Sequence, residues 1–298
     1  MTLLRPLAER VAVDIAWAGP ADLGEGPIWD GSTGELVWLD ITRHLVHRLE
    51  PSTGRDRQID VGQEVGAVGL RSSGGLVGAL RDGFALIADD GRCELVTDTE
   101  RDRADTRMND GKVDPAGRFW AGTMAFDTRE GAGTLYRLGR GYQVEPVLTG
   151  LTISNGMEWS ADRRLMYFID SPTCRVDAFD YDDPTGAIRG RRPLCEIAID
   201  GAVPDGMTVD AEGALWVAVW GGSCVLRFAP DGSPAGAIRL PASQVTSCAF
   251  GGRDLRDLYI TTASRGLDAA QRSREPLAGA LFVCRPGPRG REPSRFLG

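Results

Sequence analysis

A repeated unit limits the folds that this chain can adopt. Each unit opens on a small residue followed by a strand-like run, and successive units start 40 to 50 residues apart, at Gly26, Gly66, Gly111, Gly156, Gly206 and Ser247. A unit offers up to four short β-rich runs separated by Gly, Asp, Asn and Pro turns. Four strands repeated at this interval indicate one blade of a β-propeller, so six units predict six blades.

The two ends of the chain predict how the ring closes. Unit one contains four strand-like runs, Pro27–Trp29, Leu36–Asp40, Leu45–Leu49 and Arg57–Val61. The last unit contains only three, Ser247–Phe250, Leu258–Thr262 and Ala280–Cys284. The spare N-terminal run Val11–Trp17 is predicted to complete the last blade, which removes an open sheet edge. We therefore predict one all-β domain over residues 1–298, a six-bladed propeller with four-stranded blades. The alternative is two stacked β-sandwiches.

Composition narrows the function classes. The 39 glycines among 298 residues suit a fold with many turns. A net charge of −8 argues against nucleic acid as the main partner. The first ten residues contain no apolar run long enough for a signal peptide or a membrane span, and the six cysteines form no CxxC pair. We expect a cytoplasmic protein with no nucleic-acid or membrane partner, and no obligate protein partner is evident.

The residue before each repeated small residue is predicted to face the central channel, because the first strand of a blade lines that channel. These residues are Glu25, Val65, Asp110, Asn155, Asp205 and Thr246. Converging carboxylates repel, and buried charges are costly unless they are paired or bind a metal. Oxygen ligands favour Ca²⁺, Mg²⁺ or Mn²⁺, and Zn²⁺ or Fe²⁺ also accept carboxylates. The alternative is that each Asx-Gly pair only forms a turn.

Other catalytic arrangements lack their residues. The only histidines, His44 and His47, are three apart on a strand or turn, which points them to opposite faces. A Ser-His-Asp or Cys-His hydrolase therefore has no suitable histidine. No Walker loop and no nucleophile elbow is present. Tryptophans in second-strand positions are predicted to pack between blades rather than to bind ligand: Trp38, Trp120, Trp216 and Trp220.

Four stretches carry a resemblance to a known family. They are Leu23–Trp29, Arg107–Met124, Ser154–Met157 and Pro204–Met207, and the run Arg-Met-Asn-Asp-Gly-Lys-Val-Asp-Pro-Ala-Gly-Arg-Phe-Trp-Ala-Gly-Thr-Met is the most specific. In this order they resemble the SMP-30/gluconolactonase/regucalcin family. The resemblance implies a six-bladed propeller with one divalent metal, and many members hydrolyse sugar lactones.

The resemblance also implies roles for individual residues. It implies that Glu25, Asn155 and Asp205 bind the metal and that Arg107 and Asn109 contact the substrate. Where relatives often have a glutamate, this chain has Asp127, a shorter acid that we expect to contact the substrate. In the third unit, repeat phase selects Asp110 as the channel residue, whereas the family pattern selects its neighbour Asn109.

These observations lead to two hypotheses of function. The first is metal-dependent hydrolysis of a sugar-derived aldonolactone, of the gluconolactone, xylonolactone or arabinonolactone type, with Ca²⁺ as the expected ion and Asp205 as the general base. The second is a divalent-ion-binding regulatory protein with incidental esterase activity. A propeller that serves only as a protein-interaction scaffold would not need Glu25 and Asp205 at its channel mouth.

Overall fold

A computed structural model describes residues 11–298 of the chain. The first ten residues, for which the sequence predicts no signal peptide, lie outside the described part. Within residues 11–298, twenty-four strands form six four-stranded sheets, and each sheet is one blade. The prediction of a six-bladed propeller is confirmed.

The blades follow one another along the chain. Strand β1 (Val13–Trp17) precedes blade one, which consists of β2 (Gly24–Asp30), β3 (Glu35–Asp40), β4 (Leu45–Glu50) and β5 (Arg55–Asp60). Blade two consists of β6 (Val65–Leu70), β7 (Leu76–Leu80), β8 (Gly83–Ile87) and β9 (Cys93–Leu95). Blade three consists of β10 (Thr106–Val113), β11 (Phe119–Ala125), β12 (Gly133–Leu138) and β13 (Val144–Leu151).

The second half of the ring repeats this order. Blade four consists of β14 (Ser154–Trp159), β15 (Leu165–Asp170), β16 (Arg175–Asp182) and β17 (Ala187–Glu196). Blade five consists of β18 (Val203–Val209), β19 (Leu215–Trp220), β20 (Cys224–Phe228) and β21 (Pro234–Arg239). Blade six contains β22 (Val245–Gly251), β23 (Asp257–Thr262) and β24 (Leu281–Cys284). A short helix, α1 (Ala269–Arg274), lies between β23 and β24.

Strand β1 completes blade six, as the sequence predicts. It pairs antiparallel with β24, with Val13 opposite Cys284 and Asp14 opposite Val283. The sheet order is β1-β24-β23-β22, so strands from both ends of the chain share one blade. Without β1, strand β24 would present a row of unpaired backbone groups at an open edge.

Removing β1 is expected to destabilise the ring. A chain that begins at Ala18 loses the edge pairing and the contact between Trp17 and Trp38, whose ring centroids are 4.9 Å apart. We expect a lower melting temperature, by about 2–4 °C for each kcal/mol lost, and increased self-association through the open edge. Thermal unfolding and size-exclusion chromatography measure these effects. A chain that begins at Val11 keeps β1 and is the control; equal melting temperatures for the two truncations would contradict the closure role.

Large aromatic side chains fill the spaces between blades. Trp38, Trp120 and Trp216 are almost completely buried, as predicted. In blades three and five a turn aspartate also accepts the indole N–H of the tryptophan six residues later: Asp114 from Trp120 and Asp210 from Trp216, both at 2.9 Å. These bonds fix the buried indoles and satisfy their only polar atom.

The C-terminal segment, residues 289–298, crosses one end of the channel and contacts all six blades. Its hydrogen bonds reach Ala211, Leu255, Trp159, Asp30, Leu70 and Gly117, one residue on or beside each blade. Phe296 is fully buried within this segment. Among residues 11–298, no helix is long and apolar enough to cross a membrane.

Candidate metal centre

The innermost strand of every blade carries a β-bulge or a register irregularity where it lines the channel. In blades three, four and five the register is the same. Met108, Ser154 and Pro204 pair with the second strand, and pairing resumes three residues later. Two residues stand unpaired between these points, and such a bulge re-aims a side chain. The first unpaired residue in each blade is a predicted site residue: Asn109, Asn155 and Asp205.

Blade one reaches the channel in a slightly different register. Glu25 itself pairs with Leu39, and the bulge follows it. Gly26, the next residue, has a φ of 52°, in the left-handed region that favours glycine. The Gly26 N–H donates to Glu25 Oε2 at 2.9 Å, which orients the carboxylate. These Glu-Gly and Asx-Gly pairs therefore lie inside strands and are not turns before them.

The bulges separate the channel into two cavities. The upper cavity, about 340 Å³, is lined by five of the predicted site residues: Glu25, Arg107, Asn109, Asn155 and Asp205. The lower cavity, about 230 Å³, lies on the other side of the bulges, and Asp110 is part of its wall. In blade three the structure thus puts Asn109 with the other candidate ligands and turns Asp110 away from them. Repeat phase selected Asp110 because the bulge shifts its glycine by one position relative to blades four and five.

Glu25 and Asp205 are buried carboxylates that act on each other. Their exposed fractions are 8% and 7%. Burial, with the charge of Asp205 adding to it, raises the pKa of Glu25 well above its usual range. Burial also raises the pKa of Asp205 to about 8, although hydrogen bonding with Asn155 opposes this shift. Two mutually repelling carboxylates removed from water are stabilised when a cation binds between them.

The amide side chains of this cavity are held by their neighbours. Asn155 Nδ2 donates to Ser171 Oγ at 3.0 Å, and its Oδ1 accepts the N–H of Gly156 at 3.0 Å. Oδ1 accepts this one hydrogen bond and keeps a second lone pair. Asn109 Nδ2 donates to the carbonyl of Ser154 at 2.9 Å, which links blades three and four at the level of the site.

Arg107 supplies a positive charge to the same cavity. Its Nη1 donates to Asn109 Oδ1 at 2.9 Å and to the carbonyl of Met108 at 2.8 Å. Burial lowers its pKa to about 10, with Glu25 opposing the shift, so the guanidinium remains charged at neutral pH. The side chain is therefore fixed at one edge while the rest of the guanidinium is available to a ligand.

The donor set fits a hard divalent cation. Glu25 and Asp205 supply two carboxylates, and Asn155 supplies a neutral oxygen; all three line one cavity. Within residues 11–298 no three His, Cys, Asp or Glu side chains are grouped to hold a metal, so a site built on Glu25 and Asp205 would need an amide oxygen as its third protein ligand. Oxygen-only sets of this kind suit Ca²⁺ and related ions, which also accept water.

Asp127 does not join the site in this structure. Its side chain is 64% exposed and pairs with Arg129 at 3.3 Å. The neighbours of Asp127, Phe126 and Thr128, line the upper cavity instead. Thr128 has a φ of 56°, so the chain turns sharply after Asp127. A substrate contact for Asp127 stays a prediction from the family pattern.

Several cavity residues were not found from the sequence. Glu64, Phe126, Ser171, Trp220 and Arg265 all line the upper cavity. Trp220 was predicted to pack between blades, but it is only partly buried and forms part of the cavity wall. Its place at the end of β19, where the second strand reaches the cavity, distinguishes it from Trp38 and Trp216. The position of Trp220 at the end of its predicted strand is therefore the sequence signal that indicates a cavity residue.

Fold and site together define a class: a six-bladed propeller that carries a cavity lined by carboxylates and amides at one end of its channel. Residues 23–264 match the model of the SMP-30/Gluconolactonase/LRE-like region. The chain belongs to this family.

Individual relatives agree with this assignment over nearly the whole chain. Regucalcin of Gallus gallus is 41% identical over 286 residues, which cover 93% of this chain and 95% of that protein. A luciferin-regenerating enzyme superposes with a TM-score of 0.90 at 32% identity, covering 96% of this chain and 99% of that one. A calcium-binding regucalcin from Agrobacterium tumefaciens superposes with a TM-score of 0.91 at 29% identity, covering 99% of both chains.

Proposed function

We propose that this protein is a divalent-metal-dependent lactonase that hydrolyses a sugar-derived aldonolactone to the aldonic acid. The observation that carries the proposal is the upper cavity, where two buried carboxylates, an oriented amide oxygen and a guanidinium share one space of about 340 Å³. A cavity of this size holds a monocyclic lactone together with water. Membership of a family that includes gluconolactonases supports the reaction class.

In this proposal Glu25, Asn155 and Asp205 hold the ion, which when bound supplies a Lewis acid for the lactone carbonyl. Asp205 accepts the proton of the attacking water at a carboxylate oxygen. Burial and the charge of Asp110 raise the pKa of Asp205, which makes it a better base than an exposed aspartate. A bound cation opposes that shift and keeps the carboxylate ionised at neutral pH.

Arg107, Asn109 and the apolar wall orient the lactone. The free edge of the Arg107 guanidinium donates hydrogen bonds to substrate oxygens, and the Asn109 amide, fixed between blades three and four, adds a second polar contact. Trp220 and Phe126 offer apolar surface to the C–H face of a sugar ring. Such a site distinguishes stereoisomers through the polar contacts and tolerates differences in ring size.

The function is tested with a panel of lactones. We expect metal-loaded protein to hydrolyse at least one of gluconolactone, xylonolactone, arabinonolactone and galactonolactone, and chelation to remove the activity. Acid release in a pH-stat measures the rate above the spontaneous background. Readdition of Ca²⁺, Mn²⁺, Zn²⁺ or Mg²⁺ singly should restore the rate and rank the ions. Turnover that is unaffected by chelator would contradict the metal requirement.

A second candidate function follows from the relatives called regucalcin, one of which is described as a calcium-binding protein. In this alternative the upper cavity binds Ca²⁺ for a regulatory purpose and any esterase activity is incidental. The same panel separates the two functions. Calcium binding without turnover of any lactone would favour the regulatory function.

A further inference from the structure

Below the bulges, the channel contains a group of charged side chains that the proposed reaction does not use. The lower cavity is lined by three acids and three bases: Asp110, Glu158, Glu292, Lys112, Arg163 and Arg291. The upper cavity is lined by three acids but only two bases: Glu25, Glu64, Asp205, Arg107 and Arg265. The charged side chains of the lower cavity therefore sum to zero, whereas those of the upper cavity sum to one negative charge. The acids of the lower cavity are neutralised by protein cations alone.

Lys112 supplies the central cation of the lower cavity. It is the only lysine among the 34 lysines and arginines of the chain. Its Nζ donates to Glu158 Oε2 at 3.1 Å in blade four and to the carbonyl of Met207 at 2.8 Å in blade five. The ammonium thus joins three successive blades through oxygen acceptors, which is the kind of environment that a small bound cation would have.

Asp110 connects this group to the candidate metal centre. Its half-buried carboxylate lines the lower cavity, whereas the preceding residue, Asn109, lines the upper one. Its charge therefore acts across the bulges and also raises the pKa of Glu25 and of Asp205. Burial raises the pKa of Asp110 itself, and Lys112 is the largest opposing influence. Glu158 is engaged on its other side by Arg291 Nη2, at 3.5 Å from Oε1. Without Lys112, the lower cavity would hold the same excess of one acid as the upper cavity.

We propose that Lys112 is a built-in cation that neutralises the lower cavity and thereby confines the divalent ion to the upper cavity, one ion per chain. The ammonium donates hydrogen bonds to the carboxylate and carbonyl oxygens that a second ion would need as ligands. Its positive charge also reduces what Asp110 adds to the attraction of Glu25 and Asp205 for the first ion. The proposal rests on the metal centre of the proposed function.

The test measures ion stoichiometry and affinity, not turnover. Calcium titration calorimetry and elemental analysis after exhaustive dialysis should find one ion in the wild-type protein. In Lys112→Met we expect either two ions, or one ion bound at least about tenfold more tightly because Asp110 is then uncompensated. The double variant Lys112→Met with Asp110→Asn should return to one ion with an affinity close to wild type.

Matched variants separate charge from packing. Lys112→Arg keeps the charge and should bind one ion. Arg227→Met removes a cation of similar burial that pairs with Asp210 at 3.1 Å and lines neither cavity, and it should leave the stoichiometry and affinity unchanged. If Lys112→Met does not fold, Lys112→Gln keeps a neutral hydrogen-bond donor at this position and removes the charge.

The outcomes distinguish this inference from the proposed function. One ion bound with unchanged affinity in both Lys112→Met and Lys112→Gln would overturn the role of Lys112 and leave the lactonase proposal intact. Two ions in the wild-type protein would also overturn it. A wild-type protein that binds no divalent ion would overturn both.

Discussion

Replacing Asp205 with alanine is expected to reduce lactone hydrolysis by about 10²–10⁴-fold, the usual contribution of a positioned general base. The same change removes one of only two carboxylates in the candidate metal centre. Since loss of an outer partner alone costs 10–100-fold in metal affinity, loss of this ligand should weaken ion binding by about 100-fold or more. Initial rates at saturating metal, together with calcium titration, measure the two effects separately.

Asp205→Asn refines this experiment because it keeps the shape of the side chain. Asparagine can still offer one oxygen to an ion but cannot accept a proton as a base. We expect ion binding to be weakened less than in Asp205→Ala, while turnover falls by a similar factor. Without metal, Asp205→Asn should unfold at a temperature equal to or above that of the wild-type protein, because it relieves the repulsion with Glu25.

The exposed acid Asp127 gives the control. Its side chain is outside the cavity wall, so Asp127→Asn should bind metal normally and change turnover little. A large rise in KM for Asp127→Asn would show that Asp127 contacts the substrate, as the family pattern predicts for this position. Near wild-type rates in metal-loaded Asp205→Ala would refute the assigned role of Asp205.

Replacing Phe296 with alanine is expected to lower the free energy of unfolding by about 3–5 kcal/mol, the usual cost for a fully buried phenylalanine. Phe296 has no exposed surface and packs in a cluster with Met108 and Phe119 of blade three. Its backbone bonds to blade two as well: its N–H donates to Leu70 at 2.8 Å, and its carbonyl accepts from Ser72 at 3.0 Å. The side chain therefore anchors the segment that contacts all six blades.

Leu297→Ala is the matched control, because this neighbouring side chain is 46% exposed. It should change stability by no more than about 0.5 kcal/mol. Urea unfolding followed by fluorescence and by circular dichroism measures both variants and tests whether the two signals coincide. A loss below about 1 kcal/mol in Phe296→Ala would show that the C-terminal segment contributes little to closure of the ring.

The limits of the predicted strands show which parts of the fold local sequence patterns can predict. The second and third strands of blade one, Leu36–Asp40 and Leu45–Leu49, agree with the structure to within one residue. The innermost strands start earlier than predicted: β2 begins at Gly24, whereas the sequence predicts a start at Pro27. The reason is the bulge, which places polar residues inside a strand and so interrupts the alternation from which strands are recognised.

The choice between Asn109 and Asp110 shows the limit of repeat phase. Equal spacing of glycines assumes that every inner strand bulges at the same position relative to its glycine. In blade three pairing resumes at Gly111 itself, whereas in blades four and five it resumes one residue after the glycine. The family pattern named Asn109, but only the strand register explains why Asn109 faces the upper cavity and Asp110 the lower one.

By itself, the sequence determined the number of blades and the closing strand, because a periodic pattern of strands and turns is a local property of the chain. Repeat phase together with the family resemblance named Glu25, Asn155 and Asp205 as the candidate set. Only the tertiary structure decided what surrounds that set. Trp220, Arg265 and Glu64 come from different blades, and residues so far apart in the chain carry no local signal of their meeting. The sequence around Lys112 and Phe296 also gives no signal of their partners, because these partners lie on blades that are brought near them only when the ring closes.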